Sequence, residues 1–122
     1  MIKRYDKEYF FVADMEQAKA LYLPLLLNMS LDKWNLILNT FQEVEFELGT
    51  LRLAVALGES NSSQPPHIAI RVENIIEVAE HLTKCGARKI TAAELFPGIK
   101  DTELGFYDPW GNMLTIRGAD VN

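Results

Sequence analysis

The chain has a single cysteine, Cys85, in 122 residues. It can form no internal disulfide, and there is no second thiolate for a zinc or redox pair. The sequence contains no glycine-rich phosphate loop, no Rossmann glycine pattern and no Gly-x-Ser-x-Gly elbow. The usual sequence marks of nucleotide binding and serine-nucleophile chemistry are therefore missing. Lys84 is the one basic neighbour of Cys85, which leaves covalent catalysis without support. No apolar run approaches the ~20 residues that cross a bilayer. The opening MIKRYDKEYF lacks the apolar stretch of a secretory signal, so the expectation is a cytoplasmic protein with no membrane partner. Positive charge is also short: 12 Lys and Arg stand against 17 Asp and Glu, for a net charge of −5. The cations are scattered rather than striped, which makes nucleic acid a poor partner.

What is present is apolar: 48% of the residues are hydrophobic, enough for one domain with a real core. Lys7 to Val12 alternates as a strand does. Asp14 offers a cap oxygen, and Gln17 three residues on completes a capping box, so a helix is predicted from Met15. Met15, Ala18, Tyr22 and Leu25 form its apolar stripe, and Pro24 places its end between Leu21 and Leu27. Three extended segments follow, Met29 to Leu38, Glu43 to Leu48 and Thr50 to Leu57, with Gly49-Thr50 as a tight link. Gly58 to Pro66 is rich in turn formers and reads as a linker.

The pattern then restarts. His67 to Val72 alternates, Asn74 can cap, and Ile75, Val78, Ala79 and Leu82 make a second helical stripe ending at Gly86. Ala87 to Ala92, Thr102 to Tyr107 and Met113 to Arg117 are three more extended segments, with a loop around Phe96-Pro97-Gly98. Laying Asn74 on Asp14 is an offset of 60, which also lays Val72 on Val12 and Ile70 on Phe10, the mark of a duplication. The reading is α+β: one domain over 1–122, with a βαβββ module at 1–57, a linker at 58–66 and a second module at 67–120.

The most specific stretch is Phe106-Tyr107-Asp108-Pro109-Trp110-Gly111-Asn112-Met113-Leu114-Thr115-Ile116, in which an Asp-Pro-x-Gly-Asn turn joins two strands. Pro109 presets φ, Asp108 can accept from the turn's N–H groups, and Gly111 can take a conformation that a β-carbon resists. Following His67-Ile-Ala-Ile-Arg-Val, a capped helix and Gly86, this order resembles the glyoxalase, bleomycin-resistance and extradiol-dioxygenase superfamily, also called vicinal oxygen chelate. The resemblance spans nearly the whole chain and is looser in the first half, where the glycine expected near Leu26 is absent.

The resemblance implies two modules forming a curved mixed sheet around a cavity. It also implies a divalent metal held by one residue from the first and one from the last strand of each module. His67 matches a ligand, but its counterpart 60 residues earlier is Lys7. The last-strand position, usually glutamate, falls on Thr115, and its counterpart is Ala54. A lysine, a methyl and a hydroxyl leave one histidine to hold the ion, too few donors for a divalent metal. No metal and no other cofactor is therefore expected. A one-residue slip would bring Glu8 beside His67 and with it Zn, Ni, Mn or Fe, the rival reading.

Alternation places Tyr9 and Phe11 with Lys7, Ala69 and Arg71 with His67, and Met113 and Arg117 with Thr115. The expected ligand-binding residues are Lys7, Tyr9, Phe11, Arg52, His67, Arg71, Met113 and Thr115, although the same rings suit a core or a dimer interface. A histidine opening a strand is more often a hydrogen-bonded structural residue than a ligand. Glu43, Glu45 and Glu47 share a strand face that either looks into the cavity or is wet and paired with Arg52. His81, four residues after Glu77, reads as a solvated helix pair, and Trp110 as a rim or partner contact. The function expected is a homodimeric, metal-free protein binding a small organic molecule, similar to the drug-sequestering branch. The alternatives are a metal-dependent lyase, isomerase or dioxygenase, and a non-catalytic assembly protein.

Overall fold

The computed structural model describes residues 6–59, 65–90 and 103–118. The first module runs β1 (Asp6–Val12), α1 (Met15–Pro24) with a π-helical extension (Leu25–Met29), β2 (Asn35–Asn39), β3 (Glu43–Leu48) and β4 (Leu51–Leu57). The second runs β5 (His67–Val72), α2 (Ile75–Lys84), β6 (Arg88–Lys89), β7 (Glu103–Tyr107) and β8 (Met113–Gly118). Each module forms a four-stranded mixed sheet, in the orders β1-β4-β3-β2 and β5-β8-β7-β6, as the α+β reading of two βαβββ modules expects. In both, the first strand pairs parallel with the last and the other pairings are antiparallel. Residues 60–64 of the expected linker, the Phe96-Pro97-Gly98 loop, Thr91, Ala92 and Thr102 lie outside the described residues.

Both helices start as their caps dictate. Asp14 Oδ1 accepts from Gln17 N at 3.0 Å, and Asn74 Oδ1 accepts from Glu77 N at 3.1 Å. The first α-helix ends at Pro24, inside the expected window, but a π turn that was not expected follows it. Instead of a strand from Met29, the chain widens after Pro24 into a π turn, where Leu25 O accepts from Ser30 N five residues on at 2.9 Å, and β2 begins only at Asn35. Pro24 has no N–H for the carbonyl of Ala20. The Cys85 thiol points at that carbonyl from α2, at 3.8 Å. The second helix stops at Gly86, which holds φ +93. A β-carbon there would come within 3.3 Å of both Gln17 and Pro109, so α1, the end of α2 and the β7–β8 turn meet around a residue that must stay small.

The helix-facing sides of the two sheets merge into one core. Phe10, Val12, Val44, Phe46, Leu53 and Val55 of the first sheet and Ile68, Ile70, Val72, Phe106, Leu114 and Ile116 of the second are buried with Met15, Ala18, Leu21 and Tyr22 of α1 and Val78 and Leu82 of α2. Polar ties join the modules as well. The Tyr22 hydroxyl donates to Asp108 Oδ2 at 2.6 Å, and Asn112 Nδ2 donates to the Phe11 carbonyl at 3.0 Å. Leu31 N donates to the Arg71 carbonyl at 2.8 Å, beside a Ser30–Val72 bridge. Asp108 is buried yet fully used, also accepting from Trp110 N, Asn112 N and Asn112 Nδ2 at 2.8–2.9 Å. That turn packs the partly buried Trp110 against the core. His81 departs from a solvated pair with Glu77, because its Nε2 lies 3.0 Å from the Leu21 carbonyl across the module boundary.

Candidate functional site

The faces turned away from the helices carry the candidate residues, and strand register sets them in rows. In the first sheet the rows are Lys7–Arg52–Glu47, Tyr9–Ala54–Glu45 and Phe11–Ala56–Glu43. In the second they are His67–Met113–Tyr107, Ala69–Thr115–Gly105 and Arg71–Arg117–Glu103. The structure thus brings Lys7, Tyr9, Phe11 and Arg52 onto one open face and His67, Arg71, Met113 and Thr115 onto the other. The helix-free faces are open on the single chain: Tyr9 is 42% exposed, and Lys7, His67, Ala69 and Arg71 are exposed too.

The first open face is dense with charge. Glu45, with 9% of its side chain accessible, has Lys7 Nζ at 3.4 Å and Arg52 Nη1 at 3.7 Å, and Arg52 Nη2 reaches Glu47 at 3.4 Å. The glutamate row both faces the open side and pairs with Arg52, and Glu45 is buried rather than wet. Among the described residues, none makes a hydrogen bond to Glu45 Oε1. Lys7 Nζ also sits 4.8 Å from the centre of the Tyr9 ring, which stacks on Phe11 at 5.8 Å with a 9° interplanar angle. The Lys7 ammonium is held above the ordinary lysine pKa: hydrogen bonding with the Tyr9 side chain raises it most, partial burial lowers it by less, and Glu45 raises it further. Phe11 lies so close to Gly58 that a β-carbon there would stand 3.0 Å from its ring.

The second open face is sparser. His67 Nε2 lies 2.6 Å from Thr115 Oγ1, and Arg71 Nη2 donates to Asp32 Oδ1 at 2.7 Å. Arg117 Nε is 3.4 Å from Glu103, and Arg88 lies over the Tyr107 ring at 5.0 Å. Tyr107 and Arg88 extend the His67–Met113 row and were not picked out from the sequence. The parity of β7, with Phe106 buried between Gly105 and Tyr107 in the chain, was the available signal. Burial pushes the Cys85 thiol up despite Lys84, the reverse of an activated nucleophile.

The register also relates the two modules to each other. Tyr9 pairs with Ala54 just as Ala69 pairs with Thr115, and Lys7 pairs with Arg52 just as His67 pairs with Met113, so the two modules superpose without a slip. Lys7 and Ala54 of the first module therefore correspond to His67 and Thr115 of the second, and Glu8 lies on the opposite side of β1 with Phe10 and Val12. One imidazole, a hydroxyl, a methyl and an ammonium do not make a divalent-metal donor set. Among the described residues no group of three or more His, Cys, Asp or Glu is placed to hold a metal, and no helix is long and apolar enough to cross a membrane.

No protein-family model matches the chain, and no curated protein matches it significantly in sequence. Solved structures do match in fold. A fosfomycin resistance protein, FosX, from Mesorhizobium loti superposes with TM-score 0.62 at 20% identity, over 99% of this chain and 96% of that one. FosX from Listeria monocytogenes, complexed with Mn(II) and sulfate, gives 0.63 at 18% identity over 99% and 94%. A glyoxalase-related enzyme from Fulvimarina pelagi gives 0.63 at 16% identity over 97% and 89%. With two βαβββ modules, each ordered 1-4-3-2 within its sheet, this chain has the fold of the vicinal oxygen chelate superfamily.

Proposed function

We propose that the protein is a cytoplasmic, metal-free binding protein for a small organic molecule, with its two open faces closed by a second copy of the chain. The observation that carries this reading is the in-register quartet Lys7, Ala54, His67 and Thr115, in which His67 is the one metal-binding side chain. Stacked rings beside a buried carboxylate, Glu45, suit a small-molecule site. A covering partner is supported by β2. It is an edge strand whose Leu36, Ile37 and Leu38 are all exposed around a bulge, followed by Phe41 at 91% exposure. In this reading Lys7, Tyr9, Phe11 and Arg52 supply one wall and His67, Arg71, Met113 and Thr115 the other.

The rival is a metal-dependent lyase, isomerase or dioxygenase, favoured by the Mn(II) bound to one structural neighbour. Thermal unfolding of metal-free protein against divalent ions, cationic glycopeptide drugs, α-keto acids and thiol conjugates separates the two, since any native-state binder raises the midpoint by mass action. The expected result is stabilisation by an organic compound without metal. Stabilisation by Mn, Ni, Fe or Zn alone, with close to one equivalent of metal in protein purified without chelator, would overturn the proposal. Sedimentation tests the dimer, and Ile37→Lys is expected to shift it to monomer.

A further inference from the structure

We propose that the first open face is a binding site for an organic ammonium group and that Lys7 is its resident competitor, an internal cation occupying the ligand's place. The inference rests on the binding reading above and names its ligand class. The central row is Tyr9–Ala54–Glu45, and the Ala54 methyl between the two larger residues is fully buried. Lys7 belongs to the next row, yet its Nζ lies 4.8 Å from the Tyr9 ring centre and 3.4 Å from Glu45 Oε1. The ammonium therefore spans the gap above Ala54, between an aromatic face and a carboxylate, the two groups that recognise an amine or quaternary ammonium. Glu45 supplies the independent sign of a ligand. Its side chain is more than nine-tenths buried, and its Oε1 has two cations within ion-pair range but no hydrogen bond from either. A buried carboxylate oxygen normally takes a hydrogen bond, whereas Oε1 has only ion-pair contacts, the shorter from a partner whose stem is anchored one row away. Phe11, stacked on Tyr9, extends the wall for an aromatic or planar group attached to the cation. The raised basicity of Lys7 agrees with a site that favours positive charge.

This arrangement makes two substitutions act in opposite directions. Removing the resident ammonium in Lys7→Met vacates the place, whereas Glu45→Gln removes the charge that holds any cation there. Both delete the same ion pair, so a purely structural role would lower the unfolding midpoint in each and move affinity the same way. The probe is benzyltrimethylammonium, with benzyl alcohol as its neutral and benzoate as its anionic counterpart, titrated by calorimetry and by amide shifts of Ala54 and Glu45. K7M is expected to bind the cation about tenfold tighter than the natural chain, the scale of one lost competing contact, and E45Q to lose it. If E45Q does not fold, Tyr9→Leu is expected to weaken the cation selectively. Equal affinity in the natural chain and K7M, or binding that survives both E45Q and Y9L, would overturn the inference. Metal-free binding of only the neutral or anionic probe would also overturn it while leaving the wider binding proposal standing. A chain that binds no organic compound until a divalent metal is added would sink both.

Discussion

The two modules agree on one side of their sheets and disagree on the other. On the helix side, Phe10 and Val12 stand where Ile70 and Val72 stand, and Leu53 and Val55 where Leu114 and Ile116 stand, all buried. On the open side Lys7 answers to His67, Tyr9 to Ala69, Phe11 to Arg71, Arg52 to Met113 and Ala54 to Thr115. The helix side is constrained by close packing, where a lost methylene leaves a cavity. The open side is not constrained in that way, and its divergence separates a crowded, charged face from a shallow one floored by Ala69, Thr115 and Gly105. What the copies share is the packed face, and what they do not share is the chemistry of the open one.

The largest effect that tests this division is expected on the packed side. Phe10→Ala should cost about 3–5 kcal/mol, while Tyr9→Ala, one residue away on the open face, should cost far less in chemical denaturation. Similar losses for both would erase the distinction between faces. Next comes the tie between modules. Tyr22→Phe removes the donor to the buried Asp108 carboxylate and should cost about 1.5–3 kcal/mol, read in the same assay. The same tyrosine gives a pH signature. Burial first, then the Asp108 charge and the hydrogen bond to it, hold the Tyr22 phenol well above its usual value of 10.0. A folded-state pKa raised above the unfolded one stabilises the fold below the unfolded value and loses that contribution as pH climbs through the folded one. Stability should therefore fall above about pH 10. Ultraviolet titration should find one phenol ionising only as the fold opens, and Y22F should abolish that late phase. The smallest change is expected from Thr115→Val, which removes the 2.6 Å contact to His67 on an exposed surface and should shift stability by less than about 1 kcal/mol.

Much of this was legible in the sequence. Asp14 and Asn74 announced both helices because a cap is a local interaction between residues three apart. Alternation in β1 and β5 indicated which side chains share the open face, while the cross-strand rows came only with the pairing. What escaped depends on contacts distant in sequence. Pro24 does end the α-helix, but the π turn beyond it and the thiol from the end of α2 that reaches the Ala20 carbonyl were not legible. The charge of Glu45 suggested water, yet Lys7 and Arg52 cover it from neighbouring strands. His81 has its helix partner at the right spacing and still turns to a carbonyl of the other module.

The buried turn at Asp108 has a consequence for biosynthesis. Tyr22 waits for a partner 86 residues later in the chain, and the Phe11 carbonyl for one 101 residues later. As the chain leaves the ribosome, the first module's helix is made long before the carboxylate that anchors it, and contacts of such long separation are slow to close. The first module must therefore pass through a stage with its Tyr22 hydroxyl unmatched and its apolar helix side uncovered. That interval, more than the finished fold, is when this chain is most exposed to aggregation and to chaperone capture.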